Sequence, residues 1–248
     1  VALVVARSRY IAEDALGLIE VDYEKCPAVV TPQQALENTC LLHENVGTNL
    51  VSDRRFRYGD PEAAFAQAAH TIDIAVSYPR NSVTPIECYG LIAQYDAFEG
   101  AYDVTANFQG PFSIHAVIAR ALNVPGNKLR LRTPPASGGS FGVKQAIFPY
   151  IVLAGIAARV AGGPVKWVED RLEHLMAAVS ATNRETILKA AVDETGKILA
   201  LDWDQIEDVG AYIRAPEPAT IYRMHGNMCG AYDIPVSYTH LTLPTKRI

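Results

Sequence analysis

Residues 145–158, QAIFPYIVLAGIAA, hold no charged side chain over 14 positions. In a chain with 20% Asp, Glu, Lys and Arg, such a run has to be covered by other apolar surface. As a helix it is about 21 Å long, short of the roughly 20 residues a bilayer core requires. The run predicts a buried helix and no membrane span. With 248 residues, 49% of them hydrophobic, the chain has enough apolar material to surround it.

The residues leading into this helix are SGGSFGVK, 137–144. Clustered glycines give either a tight turn or a place where another group can approach bare backbone. NKLRLRTP, just before, alternates like a strand, so the loop lies between a strand and a helix start. A helix start offers unpaired N–H groups and the positive end of the dipole, which suits an anion. The known phosphate loops do not match. Val143 separates Gly142 from Lys144, Gln145 follows where a P-loop has Ser or Thr, and G-x-G-x-x-G is absent. Spacing alone leaves cradle and structural turn both open.

Along the rest of the chain, VALVVA, SRYIAEDALGLI and EVDYE predict a β-α-β unit. Residues 41–58 are polar without a clean period and read as a connector following a first domain at 1–40. GDPEAAFAQAAH begins a helix, with Asp60 as cap and Pro61 in the first turn. TIDIAVSY, IECYGLIAQYD and GAYDVTANF predict an antiparallel meander, and GPFSIHAVIARALNVP a helix ended by Pro125. ETILKAAV and KILALDWDQIEDVGAY form a hairpin about Asp193–Gly196. Helices interleave with hairpins, so the fold class is α+β with mixed sheets.

A net charge of −5 without Lys/Arg runs removes the electrostatic footprint of a nucleic-acid binder. Cys26, Cys40, Cys88 and Cys229 lie 14, 48 and 141 residues apart. That spacing encodes neither an iron–sulfur cluster nor a structural zinc, and predicts free thiols in a reducing cytoplasm. The N-terminus lacks a Met start and the charge order of a signal peptide, and reads as a point inside a longer protein. Glu169, Asp170 and Arg171 read as a salt-bridge corner at a strand end. His115, between Ile114 and Val117, reads as packing, and the other five histidines as scattered.

Four stretches in order, FQGP (108–111), GGSFGVK (138–144), PVKWVEDRLEHL (164–175) and GAYDIP (230–235), resemble the molybdenum-binding large subunit of the xanthine dehydrogenase and aldehyde oxidase family. The likeness is greatest to the aerobic carbon monoxide dehydrogenase branch, and IECYGLIAQYD and residues 1–30 fit it too. The resemblance implies that residues 1–40 are the tail of a hammerhead-like α/β domain and that 59–236 are the first part of a molybdopterin-binding domain. It places Gln109 beside an oxo group on molybdenum. It lines the pterin dithiolene with the backbone of Gly138, Gly139, Ser140, Phe141 and Gly142. Ser140 departs from the family's third glycine, and Gln145 stands where purine-oxidising members carry a glutamate, which argues against purines. The resemblance further implies a molybdopterin cytosine dinucleotide cofactor and a metal-bound hydroxyl that attacks CO, an aldehyde or an N-heterocycle. Electrons would pass to iron–sulfur and FAD groups on partner subunits, and the catalytic glutamate would lie beyond this sequence.

Residues 237–248, SYTHLTLPTKRI, have no counterpart in that family and resemble translated sequencing adapter, so they are expected to stand outside the fold. The alternatives to an enzyme part are a non-catalytic α+β module binding an anion at the glycine loop, or an inactive truncation.

Overall fold

The computed structural model describes residues 1–181, 183–213 and 228–245. In chain order the elements are α1 (Arg9–Leu16), α2 (Pro32–Leu36), β1 (Leu50–Tyr58), α3 (Pro61–Ala66), β2 (His70–Tyr78), β3 (Gly90–Asp96), β4 (Ala101–Ala106), α4 (Pro111–Ala121), β5 (Leu129–Arg132), α5 (Phe148–Ala161), β6 (Val165–Val168), α6 (Arg171–Ala177), β7 (Asn183–Val192), β8 (Ile198–Asp208) and β9 (Val236–Pro244). The class is α+β, as the pattern predicted.

The chain forms two interleaved units, Val1–Lys25 with Ser82–Val179, and Cys26–Asn81 with Ser180–Ile248. The first contains a four-stranded sheet ordered β5-β4-β3-β6, in which only β4 and β5 run parallel. Leu91 and Ala93 of β3 and Tyr102 and Val104 of β4 bury against Ile114 and Ile118 of α4 and Ile151, Ala154 and Ala158 of α5. Gly155 permits this approach, because a Cβ there would stand 3.2 Å from Leu122 Cδ2. The apolar helical run extends from Val143 to Ala161, 19 residues, longer than the sequence suggested, and passes the length test for a membrane span. Its Ile147, Ile151 and Ala158 faces are buried in this core, as expected of a core helix. Arg9 ties the N-terminal segment to the same unit by bonding Val168 O at 2.6 Å and Asp170 at 3.0 Å.

The second unit is a five-stranded sheet ordered β1-β9-β8-β7-β2, with β8 and β9 parallel. The β7/β8 hairpin turns where predicted, Asp193 Oδ1 accepting the amides of Thr195 (2.8 Å) and Lys197 (3.0 Å). Asp60 caps α3 by accepting from Ala63 N at 3.2 Å, again as read from the sequence.

Four expectations are corrected. Residues 1–6 and 20–24 are mostly exposed and pair with no strand among the described residues, so only the helix of the N-terminal β-α-β unit forms. The 41–58 connector contains β1, an edge strand whose polar residues face out. β2 leaves the proposed meander and pairs with β7; period-two alternation identifies a strand but not its partner. Of residues 237–248, the described part, 237–245, does not stand outside the fold. Thr239, Leu241 and Leu243 alternate inward and place β9 between β1 and β8.

Candidate functional site

The glycine loop lies between β5 and α5 in the first unit, and Gln109 lies between β4 and α4. Gly138, Phe141 and Gly142 are exposed, and Phe141 is 78% exposed despite its size. Gly139 (φ 99°), Phe141 (φ 51°) and Gly142 (φ 97°) all take left-handed backbone. A Cβ on Gly138 would meet Glu87 Cβ at 2.5 Å, whereas nothing lies within 4 Å of one on Gly142. The loop thus needs glycine at 138 for packing and at 142 for conformation, with open space on the side of Gly142.

Loop and Gln109 meet through the residue that departs from the family pattern. Ser140 Oγ lies 2.5 Å from Gln109 Oε1 and 3.3 Å from Lys144 N. The hydroxyl accepts the amide proton of Lys144 and donates its own to Gln109, which leaves the Gln109 NH₂ to donate outward. Gln109 N also bonds Lys144 O at 3.3 Å. Gly110, at φ 64°, then begins α4, which has no side-chain cap.

The loop does not open directly into α5. A buried 3-10 turn, Val143–Ile147, intervenes, and the amides of Val143 and Gln145 are taken by Ser140 O and Gly142 O. The helix start that the sequence placed directly after the loop therefore lies at Phe148, beyond this turn. Lys144 is buried and pairs with Glu87, which also accepts from Gly138 N at 2.6 Å. The Lys144 ammonium, then the Gly138 amide, hold the Glu87 carboxyl at about 2, far below its ordinary 4.5, against the opposing effect of burial. Tyr89 donates to Val143 O at 2.7 Å and locks the same turn from beneath. Sequence reasoning missed Glu87 and Tyr89. An acidic residue and a tyrosine in a polar approach to a strand carry no period, and only the tertiary fold sets them under the loop.

Gln145 is buried and donates to Ser113 Oγ at 2.7 Å. The predicted salt-bridge corner at the end of β6 forms in part, through Asp170, which pairs with Arg9 at 3.0 Å, and Glu169, which meets His174 at 2.6 Å. Asp170 caps α6 and accepts from Glu173 N at 2.8 Å, Arg171 donates to Pro85 O and Ile86 O at 2.7 Å, and Glu169 is buried against Tyr89 N and His174. His115 bonds Leu129 O at 3.0 Å, a packing role. His174 is not scattered but fully buried beside Glu169, and His225 lies outside the described residues.

The Molybdopterin cofactor-binding domain family matches residues 42–244. The chain belongs to this family. Among molybdenum hydroxylases, the carbon monoxide dehydrogenase large chain of Afipia carboxidovorans is 34% identical over 96% of this chain and 31% of its own length. The 6-hydroxypseudooxynicotine dehydrogenase complex subunit gamma of Paenarthrobacter nicotinovorans is 35% identical over 95% of this chain and 29% of its own. The crystal structure of quinoline 2-oxidoreductase from Pseudomonas putida 86 superposes with a TM-score of 0.89 at 30% identity, covering 97% of this chain and 31% of that one. The chain spans about a third of the length of these relatives. Bare backbone with open space at Gly142, an exposed loop and an outward amide on Gln109 fit a pterin group bearing an electron-rich metal centre.

Proposed function

We propose that this chain supplies one wall of the cofactor site in a molybdenum hydroxylase that oxidises CO, an aldehyde or an N-heterocycle. The observation that carries the proposal is the Ser140–Gln109 hydrogen bond, which brings two exposed segments 31 residues apart to one place. Gly138, Gly139, Ser140, Phe141 and Gly142 would hold the molybdopterin, in its cytosine dinucleotide form, against main chain. When bound, that group supplies the two-electron oxidation and the hydroxylation of substrate.

The remaining work belongs to this chain's residues. Gln109, aligned by Ser140, presents a neutral N–H donor toward negative charge and takes up no proton itself. The Glu87–Lys144 pair and Tyr89 keep the loop from relaxing into the space it lines. The buried Gln145 amide is spent on Ser113, leaving no carboxylate at that position for a purine. Iron–sulfur and FAD groups on partner subunits would accept the electrons. Four free cysteines are in keeping with a reducing, cytoplasmic setting.

The test is to express a full-length large subunit containing this sequence with its partner subunits, and to measure molybdenum by mass spectrometry. One molybdenum per large subunit, with cytosine nucleotide released on acid hydrolysis, is the expected result. A folded complex without molybdenum refutes the proposal.

A further inference from the structure

Three side chains in the first unit carry metal-ligand chemistry that the glycine loop does not use. Cys88 ends the approach to β3, Glu169 follows β6, and His174 lies in α6. One ligand atom from each lies within 4.8 Å of the other two. His174 and Glu169 are buried, whereas Cys88 is half-exposed and leaves a way in.

Two features point to an ion, an orphaned carboxylate oxygen and a crowding of acceptors about an imidazole. Glu169 Oε2 accepts from Tyr89 N at 3.0 Å and from His174 Nδ1 at 2.6 Å, but the equally buried Oε1 has no hydrogen-bond partner. A buried carboxylate oxygen left without a donor is costly. The second is the imidazole. Nδ1 faces Glu169, and Nε2 faces the carbonyl of Val83 at 3.3 Å. Both ring nitrogens thus meet acceptors, whereas a neutral ring has one N–H and one lone pair. The conflict is removed if the ring carries two protons, or if Nε2–H donates to Val83 while Nδ1 binds a cation. Of these two, the cation also satisfies Oε1.

We propose that Cys88, Glu169 and His174 bind one zinc-class divalent ion. A thiolate, an imidazole nitrogen and a carboxylate oxygen suit zinc, whereas magnesium and calcium take oxygen ligands alone. Bonds of about 2.0–2.3 Å in a tetrahedron set ligand atoms roughly 3.3–3.8 Å apart. The cluster therefore has to close by about 1 Å at its widest, which side-chain rotation at Cys88, before β3, can supply, and to open where His174 Nδ1 and Glu169 Oε2 now stand 2.6 Å apart. The Nε2–H···Val83 bond would then fix the ring from behind, the usual arrangement for a metal-bound histidine. Water fills the fourth position from the Cys88 side. The ligating sulfur is a thiolate, so the Cys88 proton leaves as the ion enters.

The experiment uses the 248-residue chain with Cys26, Cys40 and Cys229 changed to serine, so that Cys88 is its only thiol. Cobalt(II) is titrated in and followed by absorption. The expected result is one equivalent bound, with tetrahedral d–d bands and a thiolate-to-cobalt charge-transfer band, both bleached by zinc. Adding Cys88→Ser removes the charge-transfer band. Because Cys88 is half-exposed, near-ultraviolet circular dichroism from Tyr89, Tyr150 and Trp167 should be unchanged. His174→Gln weakens cobalt binding more than 100-fold, beyond the roughly 10–100-fold typical of an outer partner. A natively folded chain without the charge-transfer band overturns the proposal. So does a band that survives His174→Gln at undiminished affinity.

Discussion

Replacing Glu87 by Gln tests whether the floor of the glycine loop is an ion pair or merely a packed contact. The substitution keeps the shape of the side chain and an oxygen for Gly138 N, but leaves the ammonium of Lys144, 1% exposed, without its counter-charge. Breaking a fully buried pair costs about 3–5 kcal/mol. Glu87 is 36% exposed, so water compensates in part. The carboxyl gives a second route to the magnitude. Held at about 2 instead of 4.5, it represents roughly 3.4 kcal/mol at 1.36 kcal/mol per pH unit, and solvent screening reduces that to ~1.5–2 kcal/mol. We expect Glu87→Gln to lower the stability of the 248-residue chain by about 2 kcal/mol in urea unfolding at pH 7. Glu87→Gln/Lys144→Met, with neither charge left, should recover more than half of the loss. The pH dependence has a fixed sign. The folded carboxyl titrates below the unfolded one, so its contribution is whole above pH 4.5 and is lost as pH falls toward 2. The Glu87→Gln chain should lack that component of the acid limb. A loss under 0.5 kcal/mol, or an unchanged acid limb, would refute the ion-pair account.

Ser140→Ala should cost about 1 kcal/mol and release the Gln109 side chain, seen as faster exchange of its NH₂ protons in NMR spectra. Unchanged exchange would mean that Ser140 does not hold the amide. Gly138→Ala should destabilise the chain by about 1–3 kcal/mol in thermal or urea melts, since its Cβ would stand 2.5 Å from Glu87 Cβ. Tyr89→Phe leaves the buried Val143 carbonyl without that donor, and should cost about 1–2 kcal/mol in the same unfolding assay.

The parts legible in sequence are those with local causes. Asp60 before Pro61 announced α3, and Asp193 to Gly196 announced a hairpin, because capping and turn chemistry act within four residues. The uncharged run at 145–158 announced a core helix, although its extent needed the buried turn at Val143–Ile147. Partners could not be read. TIDIAVSY alternates cleanly, yet nothing in it selects Asn183–Val192 over the nearer β3. The glycine loop and Gln109 were visible as separate features. Their union through Ser140 was not, since it rests on one hydroxyl brought across by the fold. The meeting of Glu169, His174 and Cys88 was hidden for a similar reason: Glu169 and His174 lie five residues apart around a strand end and a helix cap, without ligand spacing, and Cys88 joins them from 81 residues upstream of Glu169.

The interleaving of the two units sets a timetable for synthesis. β2 emerges from the ribosome as an exposed ribbon with Ile72, Ile74 and Val76 on one side. Its partner strand among the described residues, β7, begins 105 residues after Tyr78. At translation speeds of roughly 5–20 residues per second, the ribbon waits about 5–20 s unpaired. Meanwhile residues 82–179 have emerged in full and can complete their own sheet. The sheet containing β2 can close only afterwards, when the segment inserted in sequence between β2 and β7 has already folded. A pause in translation just before Asn183 would prolong the interval in which β2 is open to another nascent chain, so codon usage there should affect yield more than an equal slowing within β8.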